Sequence, residues 1–320
     1  MSEDSYKILG FDVGGTKISA VIGDSQGRII RKLEKPTSKN LGQERLAEQL
    51  KDMGWKAMES AGIKSVESIG IIFAGLIDQA SRTVINSPNI PGMRRFPVGK
   101  ILEEEFGVRS VLENDATGAT IAERLFGSGR FVDNFAYITL STGIGGGFFS
   151  GGKLIRGAHG LAGEFGHMVI MANGPVCGCG RRGCLEAIAG GKGIARRATE
   201  SLKGIRESEI LSSVPINRID AKVVFDAMEK GDMFSRLIVE ETVYYLAVGI
   251  VNIASILDPE LVIIGGGLTN SGQKFIDLIK RGVREEFKNM KRPMKIVKAI
   301  PHVSDLASIS LPIFFSRQDV

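Results

Sequence analysis

The amino-acid sequence predicts an α/β protein of two domains, on three grounds. Its 320 residues exceed what one core comfortably holds, at about 150 residues per domain. Apolar strands alternate with helical stretches along the chain. A strand, a glycine turn and a second strand occur near the N-terminus and again about 130 residues later, as if one device had been used twice.

Ile8–Val13 reads as a strand, followed by Gly14-Gly15-Thr16-Lys17 and by Ile18–Ile22, which alternates and is rich in β-branched residues. This is a hairpin. A Walker A loop needs four residues between its first Gly and Gly-Lys and opens a helix, so a P-loop is excluded. Helical periodicity covers residues 43–61. The strand Ser110–Glu113 leads through Asn114-Asp115 into a helix over 116–126. Phe135–Leu140, the turn Ser141–Gly147 and Phe148-Phe149 repeat the first device. Further helices are expected over 193–202, 221–230 and 234–257. A third strand, Leu261–Ile264, stops at Gly265-Gly266-Gly267 before a helix over 274–289. Ligands gather at such strand ends. The domain boundary is placed at Asp115, giving a small domain of residues 1–115 plus about 302–320 and a large one of 116–301. The stretch after Pro301 is expected to return to the first half.

A hydrophobic fraction of 43%, a charged fraction of 24% and 41 glycines exclude disordered, collagenous and coiled-coil classes. Lys and Arg (41) exceed Asp and Glu (36) by 5, an excess spread along the chain, so charge gives no ground for nucleic-acid binding. Met1–Lys7 lacks the basic and apolar regions of a secretory leader. The longest apolar stretch, Thr242–Leu257, contains Asn252 and falls short of the roughly 20 residues that span a bilayer. No membrane association is expected, and a cytoplasmic setting is.

All three cysteines fall in Cys177-Gly-Cys179-Gly-Arg-Arg-Gly-Cys184, too local to staple a fold. With His167, ten residues before Cys177, they complete a Cys3His set of the kind that closes a structural Zn2+ site; the alternative is three free thiols in a flexible loop. Glu164 precedes His167 by three residues and Glu186 follows Cys184 by two. With one ring nitrogen on the metal, His167 keeps the other for a ligand hydroxyl, and the carboxylates accept further hydroxyl hydrogens. That describes a polyol site, set against plain solvated loop charges.

Asp115 follows a strand and starts a helix, so it is either the N-cap or a base aimed at a substrate hydroxyl, and the roles are compatible. Asp12 beside Gly14-Gly15-Thr16 suits Mg2+ held through water, with backbone N–H groups and the Thr16 hydroxyl on phosphate oxygens. Lys17 is either a phosphate contact or a solvated strand charge. Neither Gly143-x-Gly145 nor Gly265-x-Gly267 extends to the full dinucleotide fingerprint followed by a helix.

These residues resemble the ROK family of sugar kinases, and within it the ATP-dependent glucokinases. Asp12-Val-Gly-Gly-Thr-Lys17 is similar to the family's first phosphate motif and Ser141-Thr-Gly-Ile-Gly-Gly-Gly147 to its second. Arg156-Gly-Ala-His-Gly-Leu-Ala-Gly-Glu-Phe-Gly-His167, the cysteine loop and Leu185-Glu186 resemble its signature. The likeness runs from about Leu9 to Gly191 and returns at Val262–Gly272. Leu76 stands where the family often has Pro, and Ser141 where Gly is usual, which bears on sugar choice.

The resemblance implies an actin-like, ribonuclease-H-type fold with a cleft between domains that closes on ATP and a hexose. It implies Asp115 as catalytic base, Asn89 and Asn114 as sugar contacts, and Glu164, His167 and Glu186 as sugar-hydroxyl ligands. His167, Cys177, Cys179 and Cys184 would hold structural Zn2+. Asp12, Gly14, Gly15, Thr16, Lys17, Thr142, Gly143, Gly266 and Gly267 would serve ATP and Mg2+. The expected reaction is phosphorylation of a hexose 6-hydroxyl, with glucose first and N-acetylmannosamine or another hexose as the alternative, in a homodimer or larger homo-oligomer. The rival class is a sugar-responsive DNA-binding repressor of the same family. Such a protein needs a helix-turn-helix, for which the residues before Asp12 leave no room.

Overall fold

The computed structural model describes residues 5–37, 42–204, 208–288 and 293–317. The chain forms two compact units, residues 1–130 with 300–320, and residues 131–299.

The first unit begins with β1 (Lys7–Val13), β2 (Lys17–Asp24) and β3 (Ile29–Pro36), joined by tight turns into an antiparallel meander. Helix α1 (Gly42–Ser60) crosses to β4 (Ser68–Phe73), which lies parallel to β1. A small antiparallel sheet of β5 (Leu76–Asp78), β6 (Thr83–Asn86) and β7 (Arg94–Phe96) follows, then α2 (Val98–Phe106) and β8 (Ser110–Asn114), parallel to β4. The main sheet runs β3-β2-β1-β4-β8 and leads into α3 (Asp115–Phe126). One face of this sheet, including Leu9, Phe11, Ile18, Ile22, Ile69 and Ile71, packs with Leu46, Leu50 and Met53 of α1.

The second unit repeats the plan. β9 (Phe135–Leu140) and β10 (Ile144–Ser150) make the second hairpin, extended by β11 (Lys153–Leu154). Helices α4 (Leu185–Ala189), α5 (Gly191–Gly204), α6 (Glu209–Ser212), α7 (Ala221–Glu229) and α8 (Met233–Leu257) precede β12 (Leu261–Gly265), which returns parallel to β9. After α9 (Gln273–Glu286), β13 (Lys295–Lys298) joins parallel to β12, and the order β11-β10-β9-β12-β13 mirrors the first sheet strand for strand. The helix expected over 274–289 ends earlier, and Asn289 lies outside the described residues. At 25 residues, α8 has the length and composition to cross a membrane, more than the apolar stretch 242–257 suggested. It is packed as a core helix, with Ile238, Val239, Leu246, Ile250 and Ile253 in the unit's apolar interior.

Helix α10 (Val303–Ser316) belongs to the first unit and lies on the other face of its sheet, against α3, β1 and β4. Gly10 of β1 and Gly70 of β4 are register partners, and α10 crosses directly above them. A Cβ on Gly70 would fall 1.7 Å from the Ser308 carbonyl oxygen, and one on Gly10 2.2 Å from Ser308 Oγ. Two glycines side by side let a helix touch bare backbone.

The first unit runs past Asp115, the boundary expected from the sequence, to Arg130, and resumes at Ile300. The reason is packing: α3 is sandwiched with α10 on the first sheet, and a Cβ on its Gly118 would sit 2.6 Å from Ile72 Cγ2 and 3.5 Å from Ala307 Cβ. Glu123 on α3 marks both crossings. Its buried carboxylate accepts from Ser128 N (2.9 Å) and Ile300 N (2.7 Å), beside the points where the chain leaves and re-enters the unit. Gly70→Ala is expected to lower stability by about 3 kcal/mol, since overpacking against backbone finds no rotamer to yield; a denaturant midpoint equal to wild type would contradict the packing account.

Candidate active site

Strands β1, β4 and β8 run parallel, so their C-terminal ends bring the turn Gly14–Lys17, Ala74-Gly75 and Asn114-Asp115 to one edge of the first sheet. The glycine turn is built by Gly14 N on Lys17 O (3.0 Å) and is buttressed from the end of β3 by Thr37, whose N donates to Thr16 O (2.9 Å) and whose hydroxyl donates to Gly14 O (2.6 Å). Asn89, exposed in the β6–β7 loop, lies against it: a Cβ on Gly15 would be 2.8 Å from both Asn89 Cβ and Asn89 O. Thr16 is exposed, while Lys17 Nζ pairs with Glu34 (2.9 Å), so in this structure its charge is spent on a neighbouring strand.

At the head of α3 the two sequence alternatives for Asp115 separate. The cap is Asn114, whose Oδ1 accepts from Ala116 N at 2.9 Å and whose Nδ2 donates to Gly75 O at 3.1 Å. Asp115 is the first helical residue and shares the Ala116 N–H through Oδ1 alone, at 3.0 Å. Its side chain reaches solvent, yet protein atoms crowd it, and the lost hydration raises its carboxyl above the ordinary range against the opposing Ala116 N–H.

Asp12 is pushed up to about 7, chiefly by burial and then by the charges of Asp115 and Asp305, with Lys17 and Lys32 opposing. Sequence reasoning missed Asp305 and Lys32. Asp305, buried in the first turn of α10, is held by Lys32 Nζ at 2.8 Å, and Lys32 also meets Glu34 at 3.2 Å. No motif marks these residues; α10 brings Asp305 from the far end of the chain onto the face of the sheet that carries Asp12. The excess of carboxylates around Asp12 is the kind of spot a divalent cation relieves.

In the second unit the turn between β9 and β10 is held by its surroundings. Ser141 N donates to Gly143 O (2.9 Å), while the head of α5 covers the turn's carbonyls, Gly191 N on Ser141 O (2.8 Å) and Lys192 N on Thr142 O (3.1 Å). The Thr142 side chain is exposed. Gly266, with φ of 89°, follows β12 and presses on the end of β9, where a Cβ would meet Leu140 O at 2.3 Å; Gly267 is exposed beside it. Glu186 in the first turn of α4 points at the same turn. Its Oε2 accepts from Ile144 N (3.0 Å), and a Cβ on Gly143 would come within 2.2 Å of that oxygen.

Glu186 also joins this turn to the cysteine loop, its Oε1 lying 3.7 Å from Cys177 Sγ. The donor atoms of His167, Cys177, Cys179 and Cys184 all lie within 4.8 Å of one another. Cys177 Sγ is 3.6 Å from His167 Nδ1 and Cys179 Sγ is 3.7 Å from Cys184 Sγ. Tetrahedral Zn2+ with bonds of about 2.3 Å to sulfur separates its ligand atoms by about 3.8 Å, so the set fits. Burial pushes the Cys177 thiol up to about 12, with the neighbouring thiols adding to it, which expresses how poorly thiolates share this space without a cation. Nδ1 of His167 faces the sulfurs, and Nε2 faces Glu164 Oε2 at 3.8 Å.

Two tests follow from this geometry. Cys179→Ser is expected to lower bound zinc per chain well below one and to reduce thermal stability, as metal analysis and calorimetry would register. For Asp12, a folded-state pKa above the unfolded one makes the side chain's contribution largest below about pH 4 and lost as pH rises through about 7. Asp12→Asn without divalent metal is therefore expected to melt higher than wild type at pH 8, with the gap closing towards pH 4; an equal or lower melting temperature at pH 8 would refute the crowding.

Residues 8–305 match the profile of the ROK family, a continuous match wider than the two blocks of motif resemblance. A glucokinase of Thermotoga maritima is 36% identical over 269 residues, 83% of this chain and 84% of that protein. An N-acetylmannosamine kinase of Escherichia fergusonii is 36% identical over 260 residues, 81% of this chain and 82% of that protein. Among solved structures, a ROK family glucokinase from Streptomyces griseus in complex with glucose and AMPPNP matches with a TM-score of 0.83 and 32% identity, covering 98% of this chain and 99% of that one. With its twice-used five-stranded sheet, its paired glycine turns and its Cys3His loop, this chain belongs to the ROK family and has the actin-like ATPase fold.

Proposed function

We propose that the protein transfers the γ-phosphoryl group of ATP to the 6-hydroxyl of a hexose, glucose in the first instance. The observation that carries the reading is the start of α3, where Asn114 takes the cap and Asp115, at a strand end, keeps acceptor capacity beyond its share of the Ala116 N–H. Asp115 removes the hydroxyl proton as the sugar oxygen attacks; its raised pKa brings it nearer to the value that suits a general base. Asn89 and Asn114 are assigned to sugar hydroxyls, as are Glu164, His167 and Glu186. Glu186 keeps acceptor capacity beyond its bond to Ile144 N, and His167 Nε2 is directed away from the sulfurs.

Backbone N–H groups at Gly15, Thr142, Gly143, Gly266 and Gly267, with the Thr16 hydroxyl, take the phosphate oxygens, Gly14 shapes the turn through its bond to Lys17 O, and Lys17 joins them by exchanging Glu34 for phosphate. Asp12 would hold Mg2+ through water, and that ion would supply positive charge beside the phosphates. His167, Cys177, Cys179 and Cys184 would hold Zn2+, a structural ion whose binding would fix the orientation of His167 and of the neighbouring Glu186. Cysteines outside any disulfide suit a reducing cytoplasm, and a homodimer or larger homo-oligomer is the assembly assigned, which light scattering checks.

A second reading, N-acetylmannosamine phosphorylation, is favoured by an identity of 36% to a kinase of that name, equal to the identity to the Thermotoga glucokinase. A coupled assay with ATP across glucose, mannose, fructose and N-acetylmannosamine distinguishes them by kcat/KM. Asp115→Asn is expected to fold and bind sugar while turnover falls about 10²- to 10⁴-fold, the usual range for loss of a general base; near-normal turnover would remove Asp115 from the mechanism.

A further inference from the structure

Glu113, the residue before the cap, is buried, and sequence reasoning assigned it no role. It closes the head of β8: Oε1 accepts from Asn114 N at 2.9 Å, and Oε2 accepts from Nε2 of Gln79, a half-buried residue in the turn between β5 and β6. The three-stranded sheet therefore meets β8 through two side-chain bonds, Gln79–Glu113 and Asn114 Nδ2–Gly75 O.

That sheet carries Asn89. Its β6–β7 loop is closed on itself by Ser87 N on Met93 O (3.2 Å) and anchored to the end of β4 by Ser87 Oγ on Ala74 O (2.6 Å). The Gln79–Glu113 bond adds a tie to β8, the strand that ends in Asn114. We propose that Glu113 is a positioning residue for sugar binding, fixing the Asn89 loop relative to Asn114 and Asp115 through Gln79. The inference rests on the sugar-contact reading of those three residues.

A carboxylate suits the task because it accepts from two donors at once. In Glu113→Gln the new amide still accepts from Asn114 N and turns its NH2 towards Gln79, whose amide turns over to offer Oε1, so the tie is kept. In Gln79→Glu two carboxylates face each other. Exchanging both residues restores one donor and one acceptor.

The experiment is calorimetric titration of glucose, and separately of AMPPNP, into wild type, Gln79→Glu, Gln79→Ala, Glu113→Gln and the Gln79→Glu/Glu113→Gln double exchange. Each Gln79 single variant is expected to weaken glucose binding about tenfold, the scale of a lost bond to a charged group, with Glu113→Gln close to wild type, the double exchange recovering most of the loss and AMPPNP binding within about twofold of wild type throughout. Should Gln79→Glu fail to fold, Gln79→Ala reads the same tie. Glucose binding unmoved in the Gln79 single variants, a double exchange as weak as Gln79→Glu, or glucose and AMPPNP weakening in step would overturn the proposal. Wild type that binds neither glucose nor N-acetylmannosamine would overturn the sugar-site reading itself, whereas wild-type binding with unmoved Gln79 variants sinks the tie alone.

Discussion

One backbone N–H, that of Ala116, governs how the first unit presents its strand-end carboxylate. The head of α3 has to be capped, and two adjacent side chains are able to do it. If Asp115 alone took the bond, its carboxylate would be turned into the helix. Asn114 takes the cap, in extended conformation, and its amide end is held by Gly75 O. The aspartate is thereby placed one residue into the helix, near the positive end of its dipole, with only one oxygen touching the Ala116 N–H.

The same junction depends on architecture further away. Parallel β1, β4 and β8 place three loop ends at one edge, and that parallel order requires a covered sheet. The cover on one face is α10, which can approach only where Gly10 and Gly70 leave bare backbone beneath Ser308. Its approach also brings the charge of Asp305 onto Asp12, beside that of Asp115, and like charges so close oppose the ionisation of Asp12. In the second unit the corresponding economy lies in Glu186, whose two oxygens touch the glycine turn and the cysteine loop and so couple them.

Much of this was legible in the sequence because it is local. The hairpin over Ile8–Ile22 and its repeat follow from β-branched alternation around glycine, and six helices follow from apolar periodicity to within a few residues at their ends. The Cys3His set follows from spacing, since a loop of eight residues can hardly place its sulfurs anywhere but together. The stretches that escaped notice lack such marks. β3 is largely charged and half-exposed, β5 and β7 are three residues each, and α10 is too uniformly apolar and interrupted by Pro312 to show a helical face.

Sequence alone determined the two-domain α/β class, the paired glycine turns, the Cys3His cluster and the candidate residues at each strand end, because each is written in neighbours a few positions apart. Tertiary structure decided which of Asn114 and Asp115 caps the helix, that the first unit runs on to Arg130, and that Asp305, Lys32, Gln79 and Glu113 bear on the site. Those outcomes depend on the direction of a single hydrogen bond or on contacts between residues far apart in the chain, such as Lys32 and Asp305, and such contacts exist only once the strands and helices have packed.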